Sequence, residues 1–457
     1  MHTISLRVSS QLWLVRPRFD ELLTLLRENR DHITEVAFFT GITHPPLPLA
    51  TIQREAALLG REIIPAVRSL GLRAGINHLA TLGHLDDENP ENSLQEPWQH
   101  LVDMSGAEST SCYCAADPRV QGYISQCYAA LAAAHPDFIW LDDDVRLNHH
   151  PPRVRLACFC PFCLETFARE SGQPMTREAL THRFNTGPLA ERLAHRRQWQ
   201  EHNNRYLVRL MEHIRTAVDT VNPRIQLGLM SGELAYCTYQ FDALVDALAG
   251  KQAQNVKWRP GSGFYHDEVP IGALHKAHSM GRQAASLPEC VTDIQYELEN
   301  FPYQLLRKSR AIFAAEIAAS IGSGCTGVAL NMLNMFDPPV EAKPYLAKIR
   351  AVSGFLATAA KVFGRSACEG ITVPFTPTHF SALSLEGAWD QANNWGADFA
   401  RYYELSEIGL PMAYSRSGVS MSRKYPLLVG VVANNLSVKR WAGSDGLFHE
   451  AVEQQAT

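Results

Sequence analysis

The sequence lacks the features that usually mark membrane, secreted and nucleic-acid-binding chains. No window approaches 18 uninterrupted apolar residues, so no transmembrane helix is predicted. The chain begins MHTISLRVSSQLWLVRPRF, with no basic segment followed by a sustained apolar one, so no signal peptide is expected. The formal net charge is only −5, too small and of the wrong sign to attract nucleic acid or an anionic membrane. We therefore expect a cytoplasmic protein with neither of these partners and a neutral substrate.

No disulfide framework is predicted, and the sequence shows no internal repeats. Ten cysteines in a chain of this size and compartment do not form a disulfide framework. Hydrophobic residues make up 46% of the chain and charged residues 19%, which is enough apolar material for a large core. The 457 residues suit one barrel of roughly 250 residues or more with insertions, followed by a second small domain.

Short runs rich in Val, Ile and Phe alternate with longer helical patterns. The predicted strands are Ile4–Val8, Ile33–Thr40, Arg73–His78, Phe138–Asp142, Ile225–Met230, Val256–Arg259, Val291–Tyr296 and Gly327–Met332. The helical segments between them include Arg18–Glu28, Ile52–Leu70, Val120–Ala134, Arg196–Val218, Tyr303–Ile321 and Pro344–Ala359. Strands that alternate with helices in this way predict an α/β fold, a parallel (β/α)8 TIM barrel.

Two predicted connections are long, and the pattern changes near residue 365. Residues 79–118 and 145–190 follow the third and fourth strands, at the face where barrel enzymes keep their active sites. We predict a barrel domain over residues 1–365. Residues 366–457, with strands at Gly370–Pro374 and Tyr425–Val432 and a helix at Ala397–Ile408, are expected to begin a flavodoxin-like α/β domain.

A cluster of cysteines lies in the second long connection. Cys158, Cys160 and Cys163 fall within six residues, and zinc prefers four ligands in a tetrahedron. Cys114, with Cys112 close by, lies in the other long connection and supplies the fourth thiolate. This pattern predicts a structural zinc that joins two loops. A set of buried thiols, or an iron–sulfur cluster, are the alternatives.

Acidic residues end two of the predicted strands. The fourth strand runs into Asp142, Asp143 and Asp144, three like charges that are tolerated where protons are handled. The seventh runs into Glu297 and Glu299, which share one face of the strand. Two carboxylates from separate strand ends, one protonated and one ionised, are what glycoside hydrolysis requires. The alternative for the three aspartates is that they cap a helix in a solvated turn, and the alternative for the two glutamates is that they form ordinary salt bridges.

Further polar residues end strands at the same face. They can bind the hydroxyl groups of a sugar, or they can simply hydrogen-bond to neighbouring loops. The residues in question are Asp142, Asn77, His78, Ser231, Glu233, Arg259, Tyr265, Asn331 and Asn334.

With these motifs the chain resembles the family 42 glycoside hydrolases, the β-galactosidases of clan A. In that family an Asn-Glu pair ends the fourth strand, C-[YF]-C-x-x-C follows, and the nucleophile is a glutamate in E-x-x-P. Here the corresponding segments are Asp143-Asp144, CFCPFC at 158–163 and Glu299-Asn-Phe-Pro302. The resemblance makes Glu299 the nucleophile and Asp144, or Asp143, the acid/base.

The resemblance implies a retaining exo-glycosidase acting on β-linked, galactoside-like sugars. It also implies a structural zinc held by Cys114 and the three clustered cysteines, and the start of a trimerisation domain, hence a homo-oligomer (trimer or dimer). The family's Asn-Glu is Asp-Asp here, one methylene shorter at the acid/base. There are therefore two alternatives. One is a clan A glycosidase for mannosides, glucuronides or arabinosides, and the other is a non-catalytic barrel that binds sugar.

Overall fold

The structure is a computed structural model and consists mainly of a closed barrel of eight parallel strands. It describes residues 2–41, 44–85, 93–232, 238–333 and 336–364, together with 371–374, 379–382, 388–389, 407 and 412–415. Each of the eight predicted strands overlaps one strand of the barrel, so the predicted TIM barrel is confirmed.

The strands follow one another around the barrel almost in chain order. They are β1 Thr3–Val8, β2 Glu35–Thr40, β3 Arg73–His78, β4 His100–Val102, β5 Glu108–Tyr113, β6 Phe138–Leu141, β7 Gln226–Ser231, β8 Lys257–Pro260, β9 Asp293–Glu299, β10 Gly327–Asn331, β11 Ile371–Pro374 and β12 Met412–Ser415. The barrel order is β1-β10-β9-β8-β7-β6-β3-β2. All its strands are parallel, so their carboxyl ends surround one opening.

Helices cover the outside of the barrel, which leaves its strands buried on both faces. They are α1 Ser10–Trp13, α2 Arg16–Asn29, α3 Leu49–Leu58, α4 Ile64–Arg68, α5 Pro118–Ala132, α6 Pro161–Ser171, α7 Arg177–Asn185, α8 Leu189–Asp219, α9 Phe241–Ala249, α10 Gly272–Ala285, α11 Arg310–Gly322 and α12 Lys343–Phe363. Among the described helices, none is both long and apolar enough to cross a membrane.

The interior of the barrel carries charge as well as apolar side chains. At its lower end, Glu35 on β2 accepts hydrogen bonds from Lys257 (3.1 Å) and Gln295 (2.7 Å). All three side chains are buried. Paired in this way, they avoid the cost of an unpartnered buried charge.

One predicted helix begins later than its sequence pattern indicates. The pattern placed its start at Tyr303, but α11 begins at Arg310, where the Ser309 hydroxyl accepts a hydrogen bond from the backbone N–H of Ile312. Tyr303 has a positive φ of 63°, which no helix tolerates. The segment between β9 and α11 is therefore a turn, and it carries Tyr303 to the barrel opening.

The two long connections pack against each other. Strands β4 and β5 form an antiparallel hairpin in the first connection, which the sequence analysis did not predict. The Asp103 carboxylate, within this hairpin, accepts hydrogen bonds from the backbone N–H groups of Arg155 (2.7 Å) and Leu156 (2.9 Å) in the second connection. These contacts bring the cysteines of the two connections together.

Only part of the C-terminal region is described. Strands β11 and β12 pair in parallel, and β11 matches the predicted strand at Gly370–Pro374. The indole of Trp389 is buried against Phe184 of α7, with ring centroids 5.1 Å apart. The predicted helix Ala397–Ile408, apart from Glu407, and the predicted strand Tyr425–Val432 lie outside the described residues. The α/β domain and its boundary at residue 365 therefore stay predictions.

Candidate active site

A cavity of about 430 Å³ lies where the barrel strands end, within the range typical of ligand-binding pockets. Residues on or just beyond all eight barrel strands line it, which makes it the opening of the barrel itself. Its charged and amide side chains are Arg7, Arg146, Asp142, Asp143, Glu297, Glu299 and Asn331.

Arg7 on β1 lies at the centre of the site. Its guanidinium contacts Glu299 (2.6 Å), Glu297 (2.8 Å) and Asp142 (3.3 Å), all of them buried. Burial alone would lower the pKa of Arg7, but the three carboxylates raise it, so the guanidinium stays charged. Sequence reasoning missed this residue, although an arginine inside an otherwise apolar strand was a usable signal.

Glu299, at the end of β9, is held from two sides. Its Oε1 accepts hydrogen bonds from Nη1 of Arg7 and from Nδ2 of Asn331 (3.0 Å), which ends β10. Asn331 was predicted to bind substrate, and the structure places it beside Glu299 at the cavity wall. Fixed donors of this kind hold the carboxylate group in one orientation.

Glu297 lies two residues earlier on β9 and faces the same cavity. Burial, together with the nearby charge of Glu299, raises the pKa of Glu297 to about 8, although Arg7 opposes the shift. Glu297 is therefore protonated at neutral pH. Both glutamates on β9 contact the same nitrogen of Arg7.

Asp142 lines the cavity and is held in place by buried hydrogen-bond donors. It accepts hydrogen bonds from Arg7 and from Nδ2 of Asn77 (2.5 Å), whose Oδ1 in turn accepts one from Arg259 (2.7 Å). Asn77 and Arg259 are fully buried, and the guanidinium of Arg259 lies 4.1 Å from the centre of the Trp140 indole. Both residues were predicted to bind substrate, but neither lines the cavity. They support Asp142 instead.

Asp143 is the member of the acidic triplet that faces the opening. Its carboxylate lies 3.0 Å from Nε2 of His84 and 3.1 Å from Nη1 of Arg146. Burial disfavours its charged form, but His84 and Arg146 outweigh that effect and lower the pKa of Asp143. Asp143 and Glu299 therefore reach one cavity from two different strands, β6 and β9.

Asp144, which the resemblance placed at the acid/base position, faces away from the cavity. Its Oδ2 accepts hydrogen bonds from the backbone N–H groups of Thr81 (2.5 Å), Leu82 (2.7 Å) and Gly83 (2.9 Å). Burial raises the pKa of Asp144 to about 7, against the effect of these three donors. Asp144 therefore fixes the connection after β3, whereas Asp142 and Asp143 line the cavity.

His78 and Tyr265 complete the predicted set. His78 is buried, contacts Thr40 (2.8 Å) and Tyr128, and does not line the cavity. Burial lowers its pKa to about 4, so it is neutral. Tyr265 does line the cavity and packs edge-on against Phe301, with ring centroids 5.9 Å apart. Glu233 and Asn334 lie outside the described residues.

Three aromatic rings near Glu299 and Arg7 were not predicted. Phe301 and Tyr303 follow β9, and Phe39 lies on β2. Phe301 is 52% exposed, and such rings suit the C–H face of a sugar. Only the non-helical turn after β9 brings Phe301 and Tyr303 here, so the helical sequence pattern concealed them.

The four predicted metal-ligand cysteines converge at one point. Sγ atoms of Cys114, Cys158, Cys160 and Cys163 all lie within 4.8 Å of one another, and all four side chains are buried. Sγ of Cys114 is 3.6 Å from that of Cys160 and from that of Cys163, too far for a disulfide. Zinc–sulfur bonds of about 2.3 Å place tetrahedral thiolates about 3.8 Å apart, so the cluster fits a metal ion.

Comparison with known proteins shows which solved structures share this fold. No family model matches the chain, and no curated protein matches it in sequence. A β-galactosidase from the psychrophilic Marinomonas ef1 superposes with a TM-score of 0.61 at 14% identity, covering 94% of this chain and 72% of that one. A β-galactosidase from Halorubrum lacusprofundi gives 0.60 at 13% identity, over 94% and 68%.

A third solved structure carries the family designation. It is a catalytic mutant of Gan42B, a GH42 β-galactosidase from G. stearothermophilus, with a TM-score of 0.59 at 12% identity, over 94% of this chain and 67% of that one. The resemblance to GH42 β-galactosidases first seen in the motifs thus extends to the whole barrel. In its fold, the chain resembles the GH42 β-galactosidases.

Proposed function

We propose that the protein is a retaining exo-glycoside hydrolase that acts on β-linked, galactoside-like sugars. One observation carries the proposal: carboxylates from the ends of two separate strands, Asp143 and Glu299, face one cavity of sugar-binding size. Glycoside hydrolysis requires two such carboxylates. The fold resemblance to β-galactosidases supports the same class.

In this proposal Glu299 is the nucleophile. Arg7 and Asn331 hold its Oε1 and stabilise its negative charge. An oxygen of Glu299 attacks the anomeric carbon, and the electron pair of the broken glycosidic bond goes to the leaving oxygen. The product of this first step is a glycosyl ester on Glu299.

Asp143 serves as the acid/base. It gives a proton to the leaving oxygen in the first step, and then takes a proton from the water that attacks the ester. Two successive inversions return the original configuration at the anomeric carbon. This assignment replaces Asp144, which does not line the cavity and whose Oδ2 accepts hydrogen bonds from three backbone N–H groups.

Hydrolysis of a panel of nitrophenyl glycosides tests this function. We expect the β-galactoside to be cleaved fastest and proton NMR to show the β-anomer as the first product. A preference for a mannoside, glucuronide or arabinoside would move the protein to another specificity within clan A. An inverted first product contradicts the covalent mechanism. Sugar binding without any cleavage would support a non-catalytic barrel.

We also propose that the four cysteines hold one structural zinc ion. Four buried thiolates leave no open coordination position, so the metal supplies folding energy and no chemistry. A cytoplasmic location, where thiols stay reduced, suits this cluster. Residues 366–457 are proposed to belong to a second α/β domain that joins copies of the chain into a trimer or dimer.

Replacing Cys160 with serine should remove the zinc and lower thermal stability together. The metal joins connections that have little core of their own, so the loss of one ligand should lower the melting temperature by several degrees. Elemental analysis should find one zinc per wild-type chain. Cys127→Ser, at a buried cysteine outside the cluster, should keep the metal. A metal-free wild-type protein, or a Cys160→Ser variant as stable as wild type, contradicts the proposal.

A further inference from the structure

A buried ammonium group lies directly behind the end of β9. Lys308, in the turn before α11, is almost completely buried. Its Nζ donates hydrogen bonds to the backbone carbonyl of Glu299 (2.7 Å), to that of Phe264 (2.5 Å) and to Oε2 of Glu316 (2.6 Å). The three N–H bonds of the ammonium thus meet three acceptors on three different segments of chain.

Those segments all belong to the proposed active site or support it. Glu299 ends β9, Phe264 precedes the cavity-lining Tyr265 in the connection after β8, and Glu316 lies on α11. Lys308 therefore fixes the spacing between the nucleophile's own backbone and the neighbouring wall of the cavity. The Tyr345 hydroxyl donates to the backbone carbonyl of Lys308 (2.6 Å), which anchors the turn independently of the lysine side chain.

A second buried lysine contacts the same glutamate from the other side. Nζ of Lys276, on α10, lies 3.7 Å from Oε1 of Glu316. It makes no hydrogen bond within the described part of the chain. Glu316 thus has two cationic partners, and the loss of either one leaves it paired with the other. Only Lys308 also contacts the backbone of Glu299.

Stability alone does not account for Lys308. A buried ion pair costs so much desolvation that an apolar replacement is often as stable. Glu316 already has Lys276 as a counterion, so charge compensation does not require a second lysine. What Lys308 adds is a pair of hydrogen bonds to main-chain carbonyls on both sides of the cavity wall.

We propose that Lys308 is a positioning residue for the nucleophile, holding the backbone of Glu299 against α11 and the connection after β8. The proposal rests on the proposed function, since it assigns the role through Glu299. A displacement of about 1 Å at a reacting group can cost about a hundredfold in rate. Loss of the Lys308 hydrogen bonds therefore acts on kcat, whereas substrate contacts elsewhere in the cavity keep KM.

The test compares Lys308→Met with Lys276→Met. Each variant removes one buried ammonium from Glu316, and only the first releases the Glu299 carbonyl. We expect Lys308→Met to lower kcat about 10- to 100-fold with KM within about twofold, and Lys276→Met to change neither. The assay is run at pH 6, because Glu297 has a pKa of about 8 and stays protonated in both variants.

Hydrogen–deuterium exchange supplies a readout that needs no activity. Peptides that cover residues 262–266 and 299–304 should exchange faster in Lys308→Met than in wild type, and at the wild-type rate in Lys276→Met. Equal effects of the two variants, or none from Lys308→Met in either measurement, overturn the proposal. If the wild type cleaves no glycoside but the exchange difference is present, the proposed function fails, and only the structural part of the proposal stands: Lys308 holds the backbone of Glu299 in place.

Discussion

Replacing Glu299 with alanine is expected to lower turnover of every glycoside by about 10⁴-fold or more, because covalent catalysis loses its nucleophile. The two donors that contact Glu299, Arg7 and Asn331, stay in place, so the variant should still bind sugar. The loss should be equally large for dinitrophenyl glycosides, since an activated leaving group does not replace a missing nucleophile.

Azide distinguishes a missing nucleophile from a damaged fold. The alanine leaves space beside the anomeric carbon, and an added azide ion can attack there directly. A single displacement gives a glycosyl azide of inverted configuration, which proton NMR identifies. Restored turnover with inverted product supports Glu299 as the nucleophile.

Glu297→Gln is the matched control on the same strand. Glu297 has a pKa of about 8, so at neutral pH it is a neutral acid that an amide resembles closely. This variant should keep most of the activity at pH 6. If Glu299→Ala keeps near-normal rates while Glu297→Gln loses them, the nucleophile has been assigned to the wrong glutamate.

The barrel was predictable from sequence because its strands repeat one simple pattern. Each strand is a short segment buried on both faces, most of them rich in apolar residues, and each is followed by a helical segment long enough to cross back. The hairpin β4–β5 was not predictable in this way. Its strands are three and six residues long and include Glu108 and two serines, so they show no long apolar run.

The site was predictable down to the strand ends but not to the individual side chain. Asp142, Asp143 and Asp144 are chemically identical, and the turn that follows β6 decides which of them line the cavity, here Asp142 and Asp143. The same limit applies to Asn77 and Arg259, whose positions at strand ends were correct but whose side chains lie below the cavity floor. The positions of the strand ends predict which part of the barrel holds the site, but side-chain packing decides which residues line the cavity.

The cysteine cluster shows the opposite case, in which spacing alone located the residues. Three thiols within six residues have few ways to point apart, and Cys114 lies at the end of β5 where the hairpin meets the second connection.

Arg7 shows why a missed residue can still be central. A single cation in an apolar strand says nothing about its partners until the barrel closes and β9 and β6 reach it.

Replacing Asp143 should produce a loss that depends on the leaving group. An alkyl glycoside needs a proton on its departing oxygen, so Asp143→Asn should slow its hydrolysis by about 10²- to 10⁴-fold. A dinitrophenolate leaves without protonation, so the first step on a dinitrophenyl glycoside should change little. Asp144→Asn is the control: it weakens three backbone hydrogen bonds, so it should lower thermal stability while keeping the wild-type dependence on the leaving group.

The pH dependence of the same reaction follows from the environment of Asp143. His84 and Arg146 lower its pKa despite its burial, so the protonated form needed in the first step is favoured at acid pH. Above that pKa the protonated fraction falls about tenfold per pH unit. The rate on alkyl glycosides should therefore rise as pH falls through the neutral range, and Arg146→Met should move this rise toward higher pH by removing a fixed positive charge. An alkyl-glycoside rate that is independent of pH in the wild type, or an Asp143→Asn variant that slows alkyl and dinitrophenyl substrates equally, would mean that another group delivers the proton.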